Sequence, residues 1–208
     1  VGGVQASSEG GSGFYASPDT AYRIASEDPS VEGVASGLAE IRLWDNGTPA
    51  SSIGTVLTEG IHALSWQGVD TLGNTEVVSS TAVFVDAAPP VSTLHVGAVS
   101  TVAAGGLVLT PWTPVNLSAE DPESAGVRSG LAEILVDTGS GMGALSEAFL
   151  LEEGTYTLRY HAKDRVGNAE EVRAGGITSD GTPPAIVITA PVQGERFIAG
   201  IDTITVHF

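Results

Sequence analysis

The sequence predicts an all-β chain built of tandem two-sheet sandwiches. Three observations carry this: a duplicated order of motifs, short runs that alternate apolar and polar residues, and the lack of a helical apolar stripe. The duplication comes first. Ser36-Gly37-Leu38-Ala39-Glu40-Ile41 recurs as Ser129-Gly130-Leu131-Ala132-Glu133-Ile134. Upstream, Glu27-Asp28-Pro29 recurs as Glu120-Asp121-Pro122, and downstream Asp70-Thr71-Leu72-Gly73-Asn74 matches Asp164-Arg165-Val166-Gly167-Asn168. Asp86 with Pro89-Pro90 returns as Asp180 with Pro183-Pro184. Four blocks in one order define a period of about 94 residues, the size of one β-sandwich. The expected division is 1–88 for the first copy, 89–182 for the second and 183–208 for the start of a third.

The alternation supplies the strands. Thr155-Tyr156-Thr157-Leu158-Arg159-Tyr160-His161-Ala162 switches faces with period two, and 61–69 does the same around Leu64 and Trp66. Further strands are expected at 22–26, 39–44, 53–57, 77–85, 115–119, 132–136, 145–150 and 171–177. Seven or so short strands per copy, punctuated by Gly, Pro, Asn and Asp, favour a two-sheet sandwich over a closed barrel. Trp66 and Tyr160 occupy equivalent positions and read as core plugs. Ile204-Thr205-Val206-His207-Phe208 reads as an apolar strand with no partner in its own copy. It belongs either to a longer chain or to strand addition onto a neighbour.

Charge narrows the function classes. The chain has 25 Asp and Glu against 8 Lys and Arg, a net charge of −17. Such a polyanion is repelled by nucleic-acid phosphates and anionic lipid, so neither is an expected partner. No apolar run reaches the length of a membrane helix. With no cysteine, disulfides and thiolate metal sites are excluded. The four histidines, His62, His95, His161 and His207, share no repeat-equivalent position, and no nucleophile elbow or phosphate loop is present. Two acidic loops offer the carboxylate pair of a glycosidase, but active sites are seldom copied whole along a chain. The sequence reads as non-enzymatic.

The segment Tyr160-His161-Ala162-Lys163-Asp164-Arg165-Val166-Gly167-Asn168-Ala169-Glu170 carries a resemblance. With the Ser-Gly-Leu steps, the Glu-Asp-Pro loops and the Asp-x-x-Pro-Pro linkers, it resembles bacterial immunoglobulin-like tandem repeats, including OmpL47-type modules. The resemblance implies an immunoglobulin-like sandwich and a secreted or cell-surface protein, an adhesin or extracellular fibre. Its implied role is rigid spacing and association with neighbouring copies or adjacent domains. The rival reading is a module that binds a glycan or a host or cell-surface protein, for which Trp44 and Trp112 are candidate platforms.

Carboxylates at matching positions form the candidate site. They are Glu27, Asp28, Asp70 and Asp86, joined by Asn74, and then Glu120, Asp121, Asp164 and Asp180, joined by Asn168. In a sandwich, the loop after the second strand and the loop before the last emerge at one end. This places Asp28 near Asp70 and Asp121 near Asp164. Converging carboxylates repel unless a hard cation bridges them, and calcium accepts oxygens in tolerant geometry. The same residues also suit Asx turns, with aspartate accepting main-chain N–H bonds and Gly and Asn taking positive φ. Both readings stand at this point. Asp86 and Asp180 offer a third role, bracing linkers that Pro-Pro pairs stiffen.

Overall fold

In a computed structural model of the chain, the described residues are 6–7, 13–51, 57–98, 100–103, 106–185, 187–190 and 205–207. They form strands and turns, and none of their helices is long and apolar enough to cross a membrane. The first copy contains β1 (Ala6–Ser7), β2 (Gly13–Ala16), β3 (Leu38–Asp45), β4 (Thr48–Ala50), β5 (Gly60–Asp70) and β6 (Ser79–Val85). The second contains β7 (Val91–Val96), β8 (Ser100–Ala103), β9 (Gly106–Leu109), β10 (Val115–Glu120), β11 (Leu131–Asp137), β12 (Gly143–Ala144), β13 (Gly154–Asp164) and β14 (Arg173–Ser179). Then come β15 (Val187–Ala190) and β16 (Thr205–His207).

The sequence duplication reappears as topology. One sheet runs β1-β2-β6-β5-β3-β4 and the other β8-β9-β14-β13-β11-β12, the same order built from equivalent segments. In each, an early strand joins the last in parallel, β2 with β6 and β9 with β14. All other pairs within these sheets are antiparallel. A register shift falls between Leu38 and Glu40, and again between Leu131 and Glu133. A β-bulge at one place in both copies is a built feature that re-aims the chain just after Gly37 and Gly130.

The second copy closes as a two-layer sandwich. Its opposing layer is β7 paired with β10, extended by a bridge between Val115 and Phe149. Leu109, Val115, Leu151, Leu158 and Ile177 are buried between the layers, with Tyr156 and Tyr160 packed against them. The alternation on β10 puts Val115 and Leu117 inside and Asn116 and Ser118 outside. In the first copy Ala16, Leu43, Leu64, Val69 and Val85 are buried on the six-stranded sheet.

Several strands depart from expectation. Residues 22–26 are not a strand, and Arg23 alone makes an isolated bridge. The equivalent segment β10 has β7 as its ladder partner, whereas the residues that match 94–96 are 1–3, outside the described ones. Residues 145–150 do not form a ladder either. Leu145 N–H bonds Ile134 on one layer, and Phe149 then bonds Val115 on the other, so the chain crosses between sheets. Most of the expected strand 53–57 lies outside the described residues.

The last strands of both copies start two residues late. The Glu76 carboxylate takes the Gly68 N–H at 2.7 Å and that of Glu170 takes the Ala162 N–H at 2.9 Å, replacing ladder bonds with side-chain ones. Finally, Thr205–His207 has a partner after all: β16 pairs antiparallel with β15. Pairing within the chain costs only a modest loop closure.

Candidate metal centre at the junction of the copies

The Asp-x-x-Gly-Asn motif folds into one cage twice. Asp164 Oδ1 accepts N–H bonds from Val166, Gly167 and Asn168 at 3.0, 2.7 and 2.8 Å, and Oδ2 accepts the Asn168 amide at 2.6 Å. Asp70 Oδ1 likewise accepts from Leu72 and Asn74 at 2.9 and 2.7 Å, and Oδ2 takes the Asn74 amide at 2.7 Å. Gly73 and Gly167 sit at φ 85° and 98°, a left-handed step that glycine takes without a Cβ clash. Bonds from the Asn74 side chain, foremost, hold the Asp70 carboxyl below its ordinary value.

The Glu-Asp-Pro loop meets this cage through the Ser-Gly-Leu step. Gly130 N–H donates to Asp121 Oδ2 at 2.6 Å, as Gly37 N–H donates to Asp28 Oδ2 at 2.7 Å. Both glycines lie near φ 90°, which turns their N–H groups toward the acidic loop. In the first copy the Ser36 hydroxyl closes the arrangement. It lies 2.9 Å from Asp70 Oδ2 and 3.3 Å from Asp28 Oδ2, so one hydroxyl spans two carboxylates.

The second copy differs because a third carboxylate enters. Asp86, from the linker, is 0% exposed, and its Oδ2 accepts the Ser129 N–H at 2.7 Å. The Asn168 amide donates to the Asp86 carbonyl at 2.8 Å while also bonding Asp164. One oxygen from each of Asp86, Asp121 and Asp164 lies within 4.8 Å of the others, and all three residues are buried. Two groups here lack partners. Asp121, 5% exposed, leaves Oδ1 without a hydrogen bond, and so does the buried Ser129 with its Oγ. Burial pushes the Asp121 carboxyl above its ordinary value. The Gly130 bond opposes the rise, Asp86 and Asp164 add to it, and Arg128 lowers it.

The other expected site residues stay apart from this group. Glu27 and Glu120 are exposed. Asp180 is exposed too, its Oδ1 accepting Thr182 N–H at 2.9 Å much as Asp86 Oδ1 accepts Ala88 N–H at 3.0 Å. Asn74 and Asn168 present amide donors to aspartate oxygens, which makes them brackets of the carboxylates. Sequence reading overlooked the serine of the Ser-Gly-Leu step and the fact that the trio draws Asp86 from the other copy. The tandem order was the available signal, since each linker aspartate immediately precedes the next copy's loops.

A second contact accompanies the linker. In both copies the acidic loop continues into a tight turn with two left-handed residues, Glu32 and Gly33 or Ala125 and Gly126. The turn in the second copy lies against the first. A Cβ placed on Gly126 would stand 3.8 Å from Ile61 Cδ1, and one on Gly60 would stand 4.0 Å from the Ala125 Cβ. Val127 of this turn is 2% exposed, whereas the equivalent Val34 is 75% exposed.

Comparison with known proteins adds little. No family model matches the chain, and no curated protein matches it. Among solved structures it is similar to fibronectin(III)-like modules of CbhA from Clostridium thermocellum, with 15% identity and a TM-score of 0.42. That match covers 81% of this chain and 90% of the other. At such a score the likeness carries no argument, and the all-β architecture rests on the strands themselves.

Proposed function

We propose that the chain is a non-enzymatic structural segment of a secreted or cell-surface repeat protein, in which immunoglobulin-like sandwiches act as stiff spacers. One observation carries the reading. The linker is bonded into the second copy, through Asp86 Oδ2 to Ser129 N–H and the Asp86 carbonyl to the Asn168 amide. Pro90, buried behind it, restricts the same segment. Asp28, Asp70, Asp121 and Asp164 each commit an oxygen to main-chain N–H groups, as turn-shaping carboxylates do. An acidic surface with a net charge of −17 keeps such spacers soluble and apart.

The test is a distance distribution between the copies. The chain has no cysteine, so spin labels at Ser80→Cys and Ser140→Cys, both exposed, report the junction alone. A narrow distribution that broadens when Asp86→Ala and Asn168→Ala are combined is expected. A broad distribution in the parent chain would defeat the spacer reading.

One observation favours a binding role as a second reading. Trp112 is 64% exposed in the turn closed by the Thr113 N–H to Thr110 carbonyl bond. Aromatic faces of this kind stack on sugars. Quenching of tryptophan fluorescence by a soluble polysaccharide, lost in Trp112→Ala, would establish it. Trp44 is half-buried within β3 and offers less surface.

A further inference from the structure

We propose that Asp86, Asp121 and Asp164, with the hydroxyl of Ser129, bind one calcium ion at the junction of the copies, and that the first copy holds none. This deepens the spacer reading by giving the pinned linker a ligand, and it does not require the junction to be stiff. The argument starts from what the two copies share and where they diverge. Asp28 and Asp70 with Ser36 form a closed set: the serine proton lies between the two carboxylates, and Asp70 Oδ2 receives two donors. In the second copy a third buried carboxylate arrives, Asp164 Oδ2 keeps one donor from its own copy, and both Asp121 Oδ1 and Ser129 Oγ stand without partners.

Buried polar atoms are nearly always bonded, and three buried carboxylates, one with an orphan oxygen, together with the orphan hydroxyl of Ser129 mark a place where a positive ligand belongs. The spacing allows it: oxygens on opposite sides of a calcium ion held at about 2.4 Å lie at most about 4.8 Å apart, and one oxygen from each of the three carboxylates meets that limit. The donor set selects the ion. It is all oxygen, with no histidine in the group, which disfavours zinc. Magnesium demands near-octahedral geometry and retains its waters, whereas three carboxylates and a hydroxyl from separate loops suit calcium's tolerant shell. Arg128 acts on Asp121 at longer range, and no ion pair to any of the three carboxylates is found among the described residues.

The experiment uses the whole chain, stripped with chelator and titrated with calcium chloride by calorimetry near neutral pH. One site per chain is expected, with Kd on the order of 10⁻⁴ to 10⁻³ M as in extracellular modules. Asp121→Asn should weaken binding by about tenfold or more, since it removes a charge from the shell. Asp28→Asn should leave it unchanged. Melting curves guard against a variant that merely misfolds. In chelator, Asp121→Asn should melt no lower than the parent, because it relieves repulsion. At a tenfold excess of calcium over Kd the parent gains about elevenfold in its folding equilibrium and overtakes the variant.

Absence of binding in the folded parent, or binding abolished by Asp28→Asn and kept by Asp121→Asn, overturns the proposal. So does an Asp121→Asn chain that is less stable in chelator. The label-distance experiment reads stiffness separately, so a stiff junction without calcium refutes the site alone, and a mobile junction with calcium refutes the spacer alone.

Discussion

Asp86 reaches forward across 43 residues of sequence to accept the main-chain N–H of Ser129 at 2.7 Å, with both groups shut away from water. A hydrogen bond to a buried carboxylate is worth more than a neutral one, and removing its acceptor strands a buried donor. Asp86→Ala should therefore lower stability by roughly 1–3 kcal/mol. Asp180→Ala, which loses the matching exposed turn bond to Thr182, should cost far less. Chelator-treated chains unfolded in urea provide the comparison, and equal losses for the two would mean that the contact with Ser129 contributes nothing.

Asn168 gives a related test with an internal reference. Its amide bonds both Asp164 Oδ2 and the Asp86 carbonyl, while Asn74 bonds only its own copy's Asp70 among these carboxylates and carbonyls. Asn168→Ala is expected to destabilise more than Asn74→Ala. A double-mutant cycle of Asp86→Ala with Asn168→Ala should show a coupling of about 0.5 kcal/mol or more, as contacting sites do. Additive losses would place the two residues in separate networks.

Acid should act on the loop after β11 in a defined sense. Asp137 Oδ1 accepts N–H bonds from Gly139 and Gly141, which hold its carboxyl below the ordinary 3.8. A depressed folded pKa means that the unfolded chain binds the proton first on acidification. Stability from this group is present above pH 3.8 and is lost as pH falls through the lower folded value. Asp137→Asn should flatten that part of the curve, read as Tm between neutral pH and strong acid. An unchanged slope would show that the two glycine bonds do not distinguish the protonation states.

How much of this was legible beforehand differs between fold and site. The six-stranded sheets follow from alternation in β5 and β13 and from the duplicated order, because inward residues such as Leu64 and Leu158 must all face one layer. What alternation does not show is where a strand stops. Glu76 and Glu170 end their ladders by capping a neighbouring N–H, an event of side-chain geometry that leaves no periodic trace. The aspartates at equivalent positions were evident, as was the pairing of each acidic loop with its Asp-x-x-Gly-Asn turn. The union of Asp86 with Asp121 and Asp164 was not, since repeat alignment assigns the linker to the copy before it. Only the packing of one copy on the next brings it over.

The same packing separates two valines that alignment makes equal. Val127 is buried beside a turn that touches Gly60 and Ile61, whereas Val34, on the matching turn, is three-quarters exposed. An aspartate at this buried position would carry a charge out of water. The cost of a buried unpaired charge runs to several kcal/mol. Val127→Asp should thus unfold the second copy or detach it from the first, read as a broadened label distance together with a lower Tm. Val34→Asp should leave both unchanged, within about 0.5 kcal/mol as surface substitutions are. A lower Tm for Val127→Asp with an unbroadened label distance would mean that the turn is no part of the junction and that Val127 is buried by its own copy alone.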